Sequence, residues 1–135
     1  MKISRGLRNN NPLNIRRNRT KWKGLAEKQH DSAFFCFSDI AWGYRAAFIT
    51  LRNYRKRHGI KTLAGWISRW APPVENDTDA YVRFVSEKCS LAPDSEPDVD
   101  NEKQMCSIVA AMSQMENGVP ADFESVKKGW ELASR

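Results

Sequence analysis

The sequence predicts a mainly α-helical domain with a small β-hairpin lobe near its N-terminus, an α+β arrangement in which residues 1–135 form one unit. Two observations predict it. Apolar residues recur at three- and four-residue steps over five stretches between positions 39 and 134, each bounded by a capping residue, a glycine or a proline. Ahead of them, between positions 12 and 37, apolar residues come in short alternating or aromatic runs separated by polar loops. With 135 residues, 41% of them apolar and five of them tryptophan, the chain is long enough for one core and too short for two.

Residues 1–11 are polar and contain glycine, which predicts an irregular lead-in, with Asn9, Asn10 and Asn11 favouring turns before Pro12. Leu13 and Ile15 alternate with Asn14 and Arg16 and predict a short strand. Trp22, Leu25 and the run Phe34, Phe35, Cys36, Phe37 predict one or two more, joined by the polar stretch 27–32. A long helix then starts at Ser38 or Asp39, both good N-caps, and runs to His58 before Gly59. Its inward stripe is Ile40, Tyr44, Ala47, Phe48, Leu51 and Tyr54. Gly43 within it costs about 1 kcal/mol relative to alanine, which predicts close packing against another backbone.

Thr62 caps a helix over 63–70 that Ala71-Pro72-Pro73 breaks. Asp77 or Thr78 starts another that ends near Ser90, and 91–97, with two prolines, is a linker. The stretch 98–118 reads as a core helix with Met105, Ile108, Val109, Met112 and Met115 on one stripe, ended by Asn117, Gly118 and Pro120. A final amphipathic helix over 121–134 turns Phe123, Val126, Trp130 and Leu132 or Ala133 inward.

Glu116 continues the stripe of the 98–118 helix, four residues after Met112 and seven after Val109. Partial burial and the negative end of the helix dipole both raise the pKa of a carboxyl group placed there, which suits a general acid. The same position also suits an ordinary solvated glutamate at a helix end. Glu27, Asp31, Glu75 and Asp77 are candidates for a second carboxylate, although each suits a loop or cap better. The stretch 69–78 sets Trp70 beside Asn76 and, farther on, Tyr81. Aromatic faces with amides and hydroxyls make up saccharide grooves, although a rigid Pro-Pro turn with Trp70 in the core accounts for the same residues.

The net charge of +6 is uneven, because every charged residue before Glu27 is basic and a second basic run covers 52–58. Such patches favour polyanions, whether nucleic acid, anionic lipid or an anionic cell wall, and charge alone does not choose among them. Arg16, Arg17, Arg19, Lys21 and Lys23 around Trp22 could hold phosphates beside a stacking ring, yet no nucleic-acid-binding motif accompanies them. No apolar run approaches the roughly 20 residues that span a bilayer, and no hydrophobic signal region follows Met1. The expectation is a protein made soluble in the cytoplasm, without membrane insertion, that must be delivered or released to act elsewhere. Three cysteines without metal-ligand spacing predict free, buried thiols, and His30 and His58 lie in no metal-type cluster, so neither a metal nor a cofactor is expected.

The stretch RGLRNNNPLNIRRNRTKWKG, followed by FFCFSDIAWGYRAAF and by Arg69-Trp70-Ala71-Pro72-Pro73-Val74-Glu75-Asn76, resembles small lysozyme-like proteins of phages and prophages, often described as phage structural proteins. It is also similar to bacterial N-acetylglucosaminidases of lysozyme fold. In those, a helix ending in Glu-Ser-Gly precedes an asparagine-rich segment, a W-x-G and a hairpin ending in an aromatic strand. This chain has the later parts in that order, from Asn10 to Ile15, through Trp22-Lys23-Gly24 and 34–37, to Asp79-Ala80-Tyr81. The best match to the acid-bearing helix, AAMSQMENG, lies at the other end with Glu-Asn-Gly in place of Glu-Ser-Gly. The resemblance therefore implies a lysozyme-like fold that is circularly permuted, and a peptidoglycan glycosidase or lytic transglycosylase acting at the cell wall or periplasm, or within a virion. It implies Glu116 as general acid and, in a hydrolase, Glu27, Asp31 or Glu75 as second carboxylate. Asn10, Asn11, Asn14, Arg16, Trp70, Asn76 and Tyr81 would line the substrate groove. Two other readings stand beside it: a non-catalytic virion or wall-binding protein of the same fold, and a basic nucleic-acid-binding protein. The enzymatic reading requires Glu116 to face a cleft shared with residues 10–16 and with the loop after Pro73.

Overall fold

The computed structural model describes residues 3–135. Six helices occur among them: α1 (Arg5–Arg8), α2 (Ile40–Lys56), α3 (Leu63–Trp70), α4 (Thr78–Cys89), α5 (Glu102–Asn117) and α6 (Phe123–Ala133). The helical stripes read from the sequence are the core. Tyr44, Phe48 and Leu51 of α2, Leu63, Trp66 and Ile67 of α3, Val85 of α4 and Met105, Ile108, Val109 and Met112 of α5 are buried in one cluster with Leu13, Val126 and Trp130. The helices pack most extensively as α2 against α6 and α4 against α5. No helix among the described residues is long and apolar enough to cross a membrane. Cys36 and Cys106 are buried and Cys89 is half-buried, all as free thiols.

The caps explain the boundaries. Asp39, Thr62 and Asp77 accept from Ala41 N, Gly65 N and Ala80 N, so α2, α3 and α4 begin where the sequence places them. The core helix α5 starts at Glu102 rather than at Asp98. Asn101 accepts from Gln104 N at 2.9 Å while the Gln104 side chain accepts from Asp98 N at 2.6 Å, so 98–101 is a capping turn. Residues 1–11 are not wholly irregular: Ser4 caps the single turn α1. Phe123 is 51% exposed rather than inward, because α6 begins at it and its buried stripe starts with Val126.

The β-hairpin lobe is absent among the described residues. In its place are two isolated antiparallel bridges, Arg16 with Phe34 and Leu25 with Phe37. Side-chain amides take the backbone groups that a ladder would have used. Gln29 donates to Cys36 O at 2.7 Å and accepts from Cys36 N at 2.8 Å, serving that residue as a neighbouring strand would. Asn11 donates to Ile15 O and Phe35 O and accepts from Ile15 N. The apolar side chains of the segment still find a core, a second cluster of Phe35, Phe37 and Ala46 with Ile15, Trp22, Leu25 and Trp42 packed around it.

The asparagine-rich segment lies directly on α2, and Gly43 makes this approach. A β-carbon there would overlap Asn10 O and come within 2.7 Å of Pro12 Cδ. Gly43→Ala gains about 1 kcal/mol of helix propensity but overpacks a backbone contact, a cost of about 1–3 kcal/mol or more. We expect net destabilisation, seen as a lower urea midpoint with little change in slope; a variant more stable than the wild type would show that the contact is not close.

Candidate active site

The site forms where the end of α5 meets the segment 10–16. Asn117, the last residue of α5, donates to Pro12 O at 2.8 Å and to Ser113 O at 2.9 Å, and accepts from Ser4 Oγ at 2.7 Å. Trp70, the last residue of α3, donates its indole N–H to Leu13 O at 3.2 Å. Held from both sides, the backbone turns at Asn14, whose φ of 53° lies in the left-handed region that asparagine tolerates better than most residues. This turn sends the Asn14 amide to Glu116, with Nδ2 at 2.8 Å from Oε1. The Asn14 side-chain oxygen Oδ1 is buried and has no hydrogen-bond partner. Gly6 of α1 packs here, for a β-carbon on it would come within 2.9 Å of that oxygen and 2.8 Å of Asn117 Oδ1.

Glu116 opens on a cavity of about 170 Å³ lined by Leu13, Asn14, Arg16, Phe34, Trp70, Ala71, Glu75 and Asn76. Burial raises its carboxyl pKa above the ordinary value, and the Asn14 amide and the neighbouring Tyr81 hydroxyl pull it part of the way back. Tyr81 is buried beneath, its phenol pushed well up by burial and further by the Glu116 carboxylate, and its hydroxyl donates to Met112 O at 3.4 Å. Across the cavity, Arg16 Nη2 stands 3.3 Å from Glu75 Oε2, both side chains well exposed.

Of the residues singled out in the sequence, Glu116, Asn14, Arg16, Trp70, Glu75 and Asn76 come together in this cavity. The others do not. Asn11 is fully buried and spends its amide on Ile15 and Phe35. Asn10 donates to Phe37 O, and Tyr81 sits behind Glu116 rather than on the cavity wall. Glu27 is exposed and outside the cavity. Asp31 is also outside it, with Arg5 gripping both its oxygens at 2.6 Å and Asn9, Ala33 N and Phe34 N adding bonds. The Arg5 contact holds the Asp31 carboxyl well below the usual carboxylate range. Asp77 is the cap of α4. Trp22 packs against the second apolar cluster, so its ring is partly taken up in packing. Phe34 lines the cavity and was not singled out; its place in the aromatic run 34–37 gives no sign that it faces away from Phe35 and Phe37.

The raised Glu116 pKa fixes the sign of a stability effect. Below the ordinary carboxyl pKa, folded and unfolded chains both carry the proton; above the raised folded value, the native state bears a poorly solvated charge. Glu116→Gln keeps the acceptor for Asn14 and removes that charge. We expect its melting temperature to equal or exceed the wild type's near pH 7, with the difference vanishing below about pH 4. A variant that is less stable than the wild type at pH 7 but not at pH 4 would mark Glu116 as a stabilising ion instead.

No family model matches the chain. It is 38% identical over 132 residues to Protein P5 of Pseudoalteromonas phage PM2, an overlap covering 95% of this chain and 81% of that protein. The chain therefore belongs to the same family as this phage protein.

Proposed function

We propose that this is a phage or prophage protein of permuted lysozyme-like fold that cleaves the glycan strands of peptidoglycan, with Glu116 as the general acid. The observation that carries the reading is the pairing of a half-buried carboxyl of raised pKa with the Asn14 amide, on the wall of a cavity that also holds Trp70, Asn76 and Arg16. These are the groups that a saccharide site needs, an aromatic face and amides around an acid. The late helix α5 meeting the early asparagine segment is the neighbourhood that a permuted order of elements requires.

In this reading Glu116, protonated, gives its proton to the glycosidic oxygen as the bond to the anomeric carbon breaks. The resulting carboxylate then takes the proton from the sugar's own 6-hydroxyl as that oxygen attacks the anomeric carbon, leaving a 1,6-anhydro end. One carboxyl group serves both steps, as acid and then base. Glu75 is the other carboxylate on the cavity wall, and it is exposed and paired with Arg16, so a route needing one acid is favoured over hydrolysis directed by Glu75.

The small size of the cavity, with an ion pair across it, favours a second reading: a virion or wall-binding module without turnover. Zymograms on purified peptidoglycan separate the two. We expect clearing by the wild type and a loss of about 100-fold or more in Glu116→Gln, the usual scale for removing a general acid, with 1,6-anhydro ends among the products by mass spectrometry. Equal clearing by both proteins removes Glu116 from the mechanism, new reducing ends indicate hydrolysis, and wall retention without clearing by either supports the binding module.

A further inference from the structure

Arg16 and Glu75 meet across the cavity that holds Glu116, but they are held in unlike ways. Arg16 is fixed from its own side: its backbone bridges Phe34, and its guanidinium lies 5.2 Å from the centre of the Phe34 ring. Glu75 sits on the exposed turn after Pro72-Pro73, where its N–H and the Asn76 amide both return to Pro72 O. Their single contact is 3.3 Å long, and the side chains are 65% and 60% exposed. A guanidinium has five donors in a planar fork that matches a carboxylate through two of them, and Glu75 engages one. An exposed pair of this kind shifts an equilibrium by at most about fivefold, so a competing carboxylate can displace it.

We propose that the Glu75 carboxylate is an internal stand-in for a carboxylate of the substrate, and that Arg16 selects saccharides bearing such a group beside the linkage to be cleaved. The inference rests on the glycan-cleaving reading and sharpens it: the substrate is an acidic glycan, and Glu75 competes for its recognition. Lactyl or stem-peptide carboxylates of peptidoglycan supply that chemistry, and a neutral poly-N-acetylglucosamine does not.

The test measures binding to the Glu116→Gln protein, which suppresses turnover, by calorimetry. One ligand is a peptide-free peptidoglycan oligosaccharide with free lactyl carboxylates; the other is the same oligosaccharide with those carboxyl groups reduced to alcohols. The readout is the ratio of the two affinities. We expect the acidic ligand to be preferred, Glu75→Gln to raise the preference about two- to fivefold, and Arg16→Gln to abolish it. In the double variant Glu75→Gln should then have no further effect. If both ligands bind with a ratio that Glu75→Gln leaves unchanged, or that it raises equally without Arg16, the stand-in role is wrong while the saccharide site stands. If neither ligand binds, the saccharide reading itself fails and takes this proposal with it.

Discussion

The amide of Asn117 joins parts of the chain that are more than a hundred residues apart, and the cavity depends on that junction. Its bonds to Pro12 and Ser4 span 105 and 113 residues, and the neighbouring Asn14–Glu116 bond spans 102. Closing such spans costs conformational entropy that grows only as the logarithm of length, so the burden falls on the core that brings the ends near each other. That core is built of residues other than those of the junction. Leu13 is fully buried among α2, α3 and α5, so Pro12 and Asn14 are delivered to the end of α5 by apolar packing, and the amides set the final geometry.

The same substitution of side-chain amides for regular backbone pairing explains what was legible in the sequence and what was not. Helices α2, α3 and α4 were legible because apolar period and capping residue agree at each start. The segment 12–37 misled, since its apolar residues are buried as strand residues would be, while Asn11 and Gln29 provide hydrogen bonds that a pattern of apolar positions cannot reveal. Asn11 before Pro12 reads locally as a turn former and Gln29 as one residue of a polar loop; here their amides act over 24 and 7 residues.

The site divides along the same line. Although the reading of Glu116 as an acid rested on the resemblance, its inward-facing position followed from helical periodicity, because one helix determines which of its residues face inward. Its partners did not. Asn10, Asn11 and Asn14 are chemically alike, and Asn10 shares the left-handed backbone of Asn14; what distinguishes the one that reaches the carboxyl is its place beside the stretch that Trp70 and Asn117 hold at Leu13 and Pro12. No local pattern carries that distinction, and the grouping came instead from the order of motifs along the chain.

Two arginine–carboxylate pairs flank Phe34, and their contrast shows how one ring serves both architecture and site. Arg5 lies 4.7 Å from its centre and closes a bidentate pair on Asp31, whose carboxylate is only 8% exposed and has Asn9 and two backbone N–H groups as further donors. Every acceptor position there is used, so the pair is part of the frame. Arg16 lies 5.2 Å from the same ring, and its Glu75 partner makes one longer, exposed bond. Coulombic attraction between exposed charges is strongly weakened by water, which leaves the second pair far easier to break than the first. Phe34 thus contacts Arg16 independently of Glu75, so the cation on the cavity wall has a support of its own.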